Sequence, residues 1–132
     1  MAESEIAARI REGYLRANEG DYDTMMPLVA VDFELHRRLG GLNDGRVVRG
    51  RDAFREYLEP DVFASMQNEI LAIREVPGKV LIETRTTAVG AGSGVEMTAM
   101  SWQVWEHDSE QVHRVTLYND RAESEEAFGP SG

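Results

Sequence analysis

The chain has 132 residues, and this length predicts one domain over residues 1–132 with loose ends at about 1–3 and 129–132. Its net charge of −10 argues against nucleic-acid binding, which requires clustered positive charge. It contains no cysteine, so disulfides, thiolate nucleophiles and cysteine-ligated metals are excluded. No apolar run long enough for a signal peptide or a membrane span follows Met1, so we expect a cytoplasmic protein with no membrane partner.

The first thirty residues predict two helices. Residues 4–19 carry apolar side chains at helical spacing, with Ser4 as the N-cap and Gly20 just beyond the last turn. Asp21 is placed to cap a second, shorter helix, which Pro27 would kink or end.

Apolar and polar residues alternate from Val31 onward, which indicates a strand with one buried face. Phe33 and Leu35 lie on the apolar side, and Arg37 continues their parity, so the buried face ends in a charged residue. A loop rich in turn signals follows, with a short strand predicted at 46–49.

The rest of the chain predicts one further helix, four strands and a final helix. The helix at 53–58 ends before Pro60, and Asp61 would cap a last turn carrying Met66. The strands are expected at residues 68–76, 79–90, 94–106 and 111–119. A capping box opens the final helix at Asp120. This order predicts an α+β domain, with helices packed against one face of a curved sheet.

Three segments resemble the SnoaL-like branch of the nuclear transport factor 2-like superfamily: NEGDYDTMMPLVAVDFEL, VVRGRDAFREYL and GSGVEMTAMSWQVWEHDSEQVHRVTLYNDRAESEEAFG. The likeness covers nearly the whole chain and rests on the order of short motifs. It implies a cone-shaped barrel, in which a strongly curved, mostly antiparallel sheet packs with three to four helices. It also implies an apolar cavity between the sheet and the helices and, often, a homodimer formed through the sheet.

The family includes ketosteroid isomerase, polyketide cyclases, epoxide hydrolases and dehydratases, so the fold alone does not define a function. By the resemblance, the isomerase base falls at Arg37, its tyrosine at Gly13, and its second carboxyl at Ser101 or Trp102. All three roles are changed, and an arginine, with a pKa above about 12, does not act as a general base.

The other candidates for catalysis are few. His36 shares the polar parity of its strand, His107 falls in a turn, and His113 has an apolar side typical of a packed core histidine. An epoxide hydrolase-like site would need aspartates around a strand arginine such as Arg85 or Arg114. No aspartate stands on a neighbouring predicted strand, although Glu83 and Glu96 could substitute. No ligand spacing predicts a metal site, and no cofactor is expected.

The side chains expected to line the cone are mostly apolar or aromatic, with Arg37 as a charged anchor. The predicted ligand-binding residues are Tyr14, Phe33, Leu35, Arg37, Phe54, Leu58, Met66, Met100, Trp102 and Tyr118. For Phe33, Leu35 and Phe54, core packing is the plainer interpretation. A buried arginine needs a partner, so Arg37 predicts either a carboxylate in the cavity or a bound anion.

We therefore expect a protein that binds a small hydrophobic or amphiphilic anion in the cone. The alternative is an isomerase, cyclase or hydrolase that acts on a hydrophobic carbonyl or epoxide substrate by general acid–base catalysis. A third interpretation is a dimerisation module with a filled cone. Strand 94–106 is apolar on both sides, which predicts a homodimer through the exposed face of the sheet.

Overall fold

The computed structural model describes residues 3–39, 45–59 and 63–129, with only the backbone described at 63–65. Within these residues the helices and strands are α1 (Glu5–Asn18), β1 (Val29–Arg38), β2 (Val47–Arg49), α2 (Arg51–Leu58), β3 (Phe63–Val76), β4 (Lys79–Gly90), β5 (Glu96–His107), β6 (Val112–Tyr118) and α3 (Arg121–Phe128). The predicted α+β class is confirmed. None of the described helices is long and apolar enough to cross a membrane.

The six described strands form one sheet in the order β2-β1-β6-β5-β4-β3. β1 and β6 run parallel, and every other neighbouring pair is antiparallel, as the prediction of a mostly antiparallel sheet requires. The pairing shifts within β1 between Val29 and Glu34 and within β3 between Ile70 and Ala72. Such bulges bend the strands and increase their twist, which helps to curve the sheet.

Helix α1 forms as its sequence predicts. The Ser4 hydroxyl accepts a hydrogen bond from the Ala7 amide at 3.1 Å, so the first turn is capped. Gly20 follows the helix with φ +87°, in the left-handed region that suits glycine. The side of α1 that carries Ala7 and Ile10 is buried against the sheet, whereas its charged residues lie in solvent.

Two local predictions are wrong. The second helix is only a 3₁₀ turn, Met26–Leu28, because Pro27 supplies no N–H and the chain enters β1 at once. The turn predicted after Asp61 is also absent from the described residues, since Met66 lies in β3, which begins at Phe63. Asp61 itself lies outside the described residues.

Apolar clusters cover both faces of the sheet. On the inner face, defined as the one that packs against α1 and α2, the cluster includes Ile10, Phe33 and Trp105. On the opposite, outer face, Phe128 of α3 packs with Val104. The expectation that all helices lie against one face is therefore wrong for α3, because its last turn buries an apolar side chain on the outer surface of β5.

His113 lies on the surface, although its parity along β6 predicts an apolar side. The alternation is interrupted where β6 meets both of its neighbours. Its pairing with β5 shifts between Glu106 and His107, and its pairing with β1 shifts between Val29 and Glu34. Each shift changes which face a residue occupies, so parity fails at this end of the strand.

The exposed His113 ring contacts two carboxylates. Its Nε2 lies 2.6 Å from Asp108 Oδ2, and its Nδ1 lies 3.6 Å from Asp32 Oδ1. The hydrogen bond to Asp108 raises the pKa of His113. The same bond, with two backbone amides, lowers the pKa of Asp108 well below its usual range. The ion pair therefore persists over a wider pH range than isolated groups would allow.

Replacing His113 with Gln should lower the urea midpoint of unfolding more at about pH 5.5 than at about pH 9. A raised folded-state pKa contributes stability that is complete below the unfolded value of about 6.5 and is lost as pH rises through the folded value. The effect should be small and weaken with salt, because the pair is exposed. In an Asp108→Asn background most of the pH dependence should disappear, and a difference that is constant with pH would contradict the ion pair.

Candidate ligand-binding site

A cavity of about 310 Å³ lies between the inner face of the sheet and helices α1 and α2. This is on the order of ten times the volume that a water molecule occupies in the liquid, about 30 Å³. Most of the exposed wall is apolar, with a small number of polar side chains among the aromatic and aliphatic ones. Such a composition is typical of a small-molecule site, in which few polar groups orient a mainly apolar ligand.

Six of the ten predicted ligand-binding residues lie on the wall of this cavity. They are Tyr14, Leu35, Arg37, Phe54, Leu58 and Met66. Phe33 lies behind the wall, with its ring centroid 4.5 Å from that of Phe54, and it is fully buried in the core. The structure thus places six of the predicted residues around one cavity. That they bind a ligand stays a prediction.

Three predicted residues lie on the outer face instead, which corrects their assignment to the cavity. Trp102 donates its indole N–H to Glu83 at 2.8 Å, Tyr118 packs in the cluster under α3, and Met100 is 39% exposed. The alternation along β5 places Ser101 and Gln103 on the cavity wall between them. Sequence reasoning assigned the apolar set to the inside, but α3 covers part of that set.

Arg37 lies on the cavity wall near the end of β1, as its parity predicts. Its Nη1 donates a hydrogen bond to the Tyr57 hydroxyl, and the guanidinium carbon lies 5.9 Å from the Tyr57 ring centroid. Arg46 lies 5.8 Å from the same ring. The Nε of Arg37 is buried and has no hydrogen-bond partner among the described residues. The carboxylate predicted to pair with Arg37 is not found there either.

A chain of hydrogen bonds, here called the cavity network, joins helix α1 to strand β5. The Trp105 indole N–H donates to the Tyr14 hydroxyl at 3.1 Å, and that hydroxyl donates to Gln103 Oε1 at 2.8 Å. The Gln103 amide nitrogen then donates to Thr84 Oγ1 at 3.1 Å and to Ser101 Oγ at 2.8 Å. The network satisfies polar groups that would otherwise be costly to bury.

The titratable groups on the wall are poorly suited to general acid–base catalysis. Burial raises the pKa of Tyr14 far above its usual range, so its hydroxyl stays protonated. Asp21 is the carboxylate on the wall, and hydrogen bonds from the Thr24 hydroxyl and from nearby amides lower its pKa. A base with a lowered pKa and occupied oxygens is a weak proton acceptor at neutral pH.

The other ionisable candidates lie away from the cavity. His36 pairs with Glu34 at 2.8 Å, and His113 pairs with Asp108 at the β5–β6 turn. Glu83 lies on the outer face, where a hydrogen bond from Arg121 lowers its pKa. Across the described ranges 3–39, 45–59 and 63–129, no three histidine, aspartate or glutamate side chains are grouped to hold a metal ion.

Sequence reasoning missed several wall residues that carry polar groups. Gln103, Ser101 and Tyr57 contribute hydrogen-bonding atoms to the wall. Trp105 also lies on the wall, and its indole N–H is the first donor of the cavity network. The available signal was the strict alternation of β5, which puts these β5 residues on one side. It did not decide which side faces the helices.

Comparisons with known proteins agree with this architecture. A family model described as a SnoaL-like domain matches residues 10–115. A proposed polyketide cyclase from Xanthomonas campestris pv. campestris superposes with a TM-score of 0.73 at 23% identity, covering 89% of this chain and 92% of that one. No curated protein sequence is similar enough to count as a match.

Two further solved structures were obtained with small molecules. TerC co-crystallised with polyporic acid superposes with a TM-score of 0.75 at 16% identity, covering 91% of this chain and 95% of TerC. A Catenulispora acidiphila protein with a ketosteroid isomerase-like fold, in complex with trimethylamine, gives a TM-score of 0.75 at 13% identity, covering 98% and 97%. At these identities the likeness shows the fold alone.

The Tyr14→Phe variant should lower the free energy of unfolding by about 1–3 kcal/mol, because it leaves buried polar groups of Gln103 and Trp105 without a partner. Urea denaturation would measure the change. Tyr22→Phe is the matched control, since Tyr22 lies on the same cavity wall and its ring packs against Arg55 rather than joining the network. It should change stability by less than about 0.5 kcal/mol. Equal effects of the two variants would contradict a structural role for the network.

Proposed function

The chain belongs to the SnoaL-like domain family, and from that premise we propose that its cavity binds a small, mainly apolar molecule whose anionic group is held by Arg37. The observation that carries this proposal is the guanidinium on the cavity wall. Its Nη1 is used by Tyr57, whereas its buried Nε has no partner among the described residues. A buried donor left unpaired costs about 1–3 kcal/mol, and an anionic ligand removes that cost.

The geometry of an arginine side chain favours a carboxylate over other anions. The Nε–H and one Nη–H lie along the same edge of the planar guanidinium and match the two oxygens of a carboxylate. In Arg37 the edge that contains Nε is not used by Tyr57. A ligand carboxylate is therefore expected to bind this edge in a two-pronged arrangement.

The remaining wall supports an apolar body on the ligand. Leu35, Phe54, Leu58 and Met66 surround the space, and burial of a ligand chain against them is favourable by roughly 0.8 kcal/mol per CH₂ group. Two proteins of similar fold were crystallised with small organic molecules, polyporic acid and trimethylamine. These cases support the idea that this architecture accommodates small ligands.

The enzyme alternative, an isomerase, cyclase or hydrolase, requires a proton acceptor whose pKa is tuned near neutrality and which reaches the ligand. On the described wall the carboxylate of Asp21 has a lowered pKa, and Tyr14 remains protonated. The likeness to a proposed polyketide cyclase is compatible with this alternative, but at 23% identity it supports the shared fold only. The site therefore supports binding better than acid–base catalysis.

Replacing Arg37 with Gln should weaken octanoate binding roughly tenfold or more, because charge-assisted hydrogen bonds contribute about 1.5–3 kcal/mol. Binding of 1-octanol, which lacks the charge, should change little. The chain has two tryptophans, so Trp102→Phe leaves Trp105, on the cavity wall, as a fluorescent reporter for both titrations.

The matched control is Arg49→Gln, which removes an arginine whose side chain is 72% exposed and pairs with Glu34. It should leave both affinities unchanged. If Arg37→Gln binds octanoate as tightly as the unsubstituted chain does, the anionic part of the proposal is wrong. If neither octanoate nor 1-octanol binds to the unsubstituted chain, the proposed function itself is wrong.

We also propose that the protein forms a homodimer through the sheet. Helix α3 covers the apolar centre of the outer face, so the surface left for a partner is smaller than the sequence suggested. What supports the proposal is the set of large apolar side chains that stay exposed. On and beside the strands these are Val31, Leu71, Val95, Met97 and Met100, each at least 37% accessible. Of the two methionines of β5, Met100 lies on the outer face, whereas Met97 has the parity of Ser101.

Light scattering coupled to size exclusion should give twice the chain mass of 14.8 kDa at micromolar concentration. Met100→Glu, which places a charge in the exposed apolar set, should shift the mass towards that of a monomer. Ala8→Glu is the control, because it places the same charge on the exposed side of helix α1, away from the sheet, and it should leave the mass at that of the dimer. A monomer mass for the unsubstituted chain would overturn the dimer.

A further inference from the structure

The directions of the hydrogen bonds that join Trp105, Tyr14 and Gln103 follow from one obligatory donor. An indole N–H only donates, so the Tyr14 oxygen accepts from Trp105 at 3.1 Å. The Tyr14 hydroxyl then has its own hydrogen to donate, and Gln103 Oε1 lies 2.8 Å away. This sets the orientation of the Gln103 amide, since the reverse orientation would place two donors opposite each other.

With the amide so oriented, its nitrogen donates to both hydroxyl oxygens next to it, on Thr84 and Ser101. Each of these hydroxyls has accepted one hydrogen bond and must place its own hydrogen. Thr84 has no exposed surface and lies 3.0 Å from Ser101 Oγ but 3.5 Å from the Ser101 carbonyl oxygen. If Ser101 donated across the 3.0 Å contact, the Thr84 hydrogen would be left with the carbonyl at 3.5 Å, the limit for a hydrogen bond, so donation from Thr84 to Ser101 Oγ is the favoured arrangement.

The Ser101 hydroxyl has then accepted two hydrogen bonds and retains its own hydrogen. Ser101 is half-buried and lies on the cavity wall. We propose that this hydroxyl donates a hydrogen bond to an acceptor oxygen on the apolar body of the ligand, so that the preferred ligand is an oxo-carboxylic acid. This inference rests on the proposed function, because it takes the carboxylate of the same ligand to be held by Arg37.

The sheet separates the two polar groups by a predictable distance. Arg37 is paired with Leu117, and Leu117 with Gln103, so one strand lies between the strands that carry the two polar groups. With strands about 4.8 Å apart, the backbones of Arg37 and Gln103 are about 10 Å apart, and Ser101 lies about 7 Å further along β5. This backbone separation favours an acceptor oxygen several carbons from the carboxylate over the oxygen of a 2-oxo acid.

The experiment compares octanoate with 4-, 5-, 6- and 7-oxooctanoate, titrated against Trp105 fluorescence in the Trp102→Phe background. At least one oxo isomer should bind roughly threefold to tenfold more tightly than octanoate, as expected for one added hydrogen bond. In Ser101→Ala that advantage should disappear, so that the oxo isomers and octanoate bind with similar affinities. Ser101→Thr, which keeps the hydroxyl, should retain the preference.

Thr98→Ala is the matched control, because it removes an exposed hydroxyl from the opposite face of the same strand. It should retain the preference for the oxo acid. If octanoate binds but no oxo isomer binds more tightly, the role of Ser101 is wrong and the proposed function stands. If octanoate and all its oxo isomers fail to bind, both proposals are overturned. If Ser101→Ala does not fold, the comparison of octanoate with its oxo isomers on the chain that retains Ser101 still tests the preference for an oxo acid.

Discussion

The hydrogen bond between Tyr14 and Gln103 is the constraint on which the interior of this protein depends. It joins helix α1 to strand β5 across the inner face, where Gln103 is buried and Tyr14 is half-buried. A buried amide or hydroxyl is tolerated only when its partners are present, so the helix cannot slide along the sheet without leaving several polar groups unpaired. The bond thus defines how far α1 stands from the sheet and how deep the cavity is.

The electrostatics of the cavity differ from those of the whole chain. The protein carries a net charge of −10, yet the described wall presents a guanidinium, and its one carboxylate, Asp21, is already hydrogen-bonded at the start of a turn. The position of a charge matters more than the net charge here, because exposed charges are screened within about 10 Å, whereas a partly buried charge is screened much less. An acidic protein can therefore hold an anion, provided that the anion enters a pocket whose wall carries Arg37.

The two faces of the sheet use their side chains in different ways. On the inner face, polar residues of β5 satisfy one another beside an apolar space. On the outer face, Trp102 donates to Glu83, which also accepts from Arg121 of α3. Helix α3 therefore covers part of the outer face that a second subunit would otherwise cover. Any partner that binds there contacts the surface that this short helix leaves uncovered.

Local patterns in the sequence determined most of the secondary structure. The helical spacing and caps of α1, the alternation of β1 and the turns of the meander are properties of neighbouring residues, so they can be predicted without knowledge of the fold. The parity of β1 also placed Arg37 on the inner face. The bulges beside His113 could not be predicted, because an extra residue in a strand has no consistent local signature.

Only the tertiary structure decided which face of β5 lines the cavity. That strand carries apolar residues on both sides, so its composition favours neither face. The side with Met100 and Trp102 turned outward, while Ser101 and Gln103 turned inward because Tyr14 and Thr84, distant in the chain, supply their hydrogen-bond partners. A polar residue can occupy an interior position only when such partners arrive from elsewhere in the fold, and the order of residues along one strand does not contain that information.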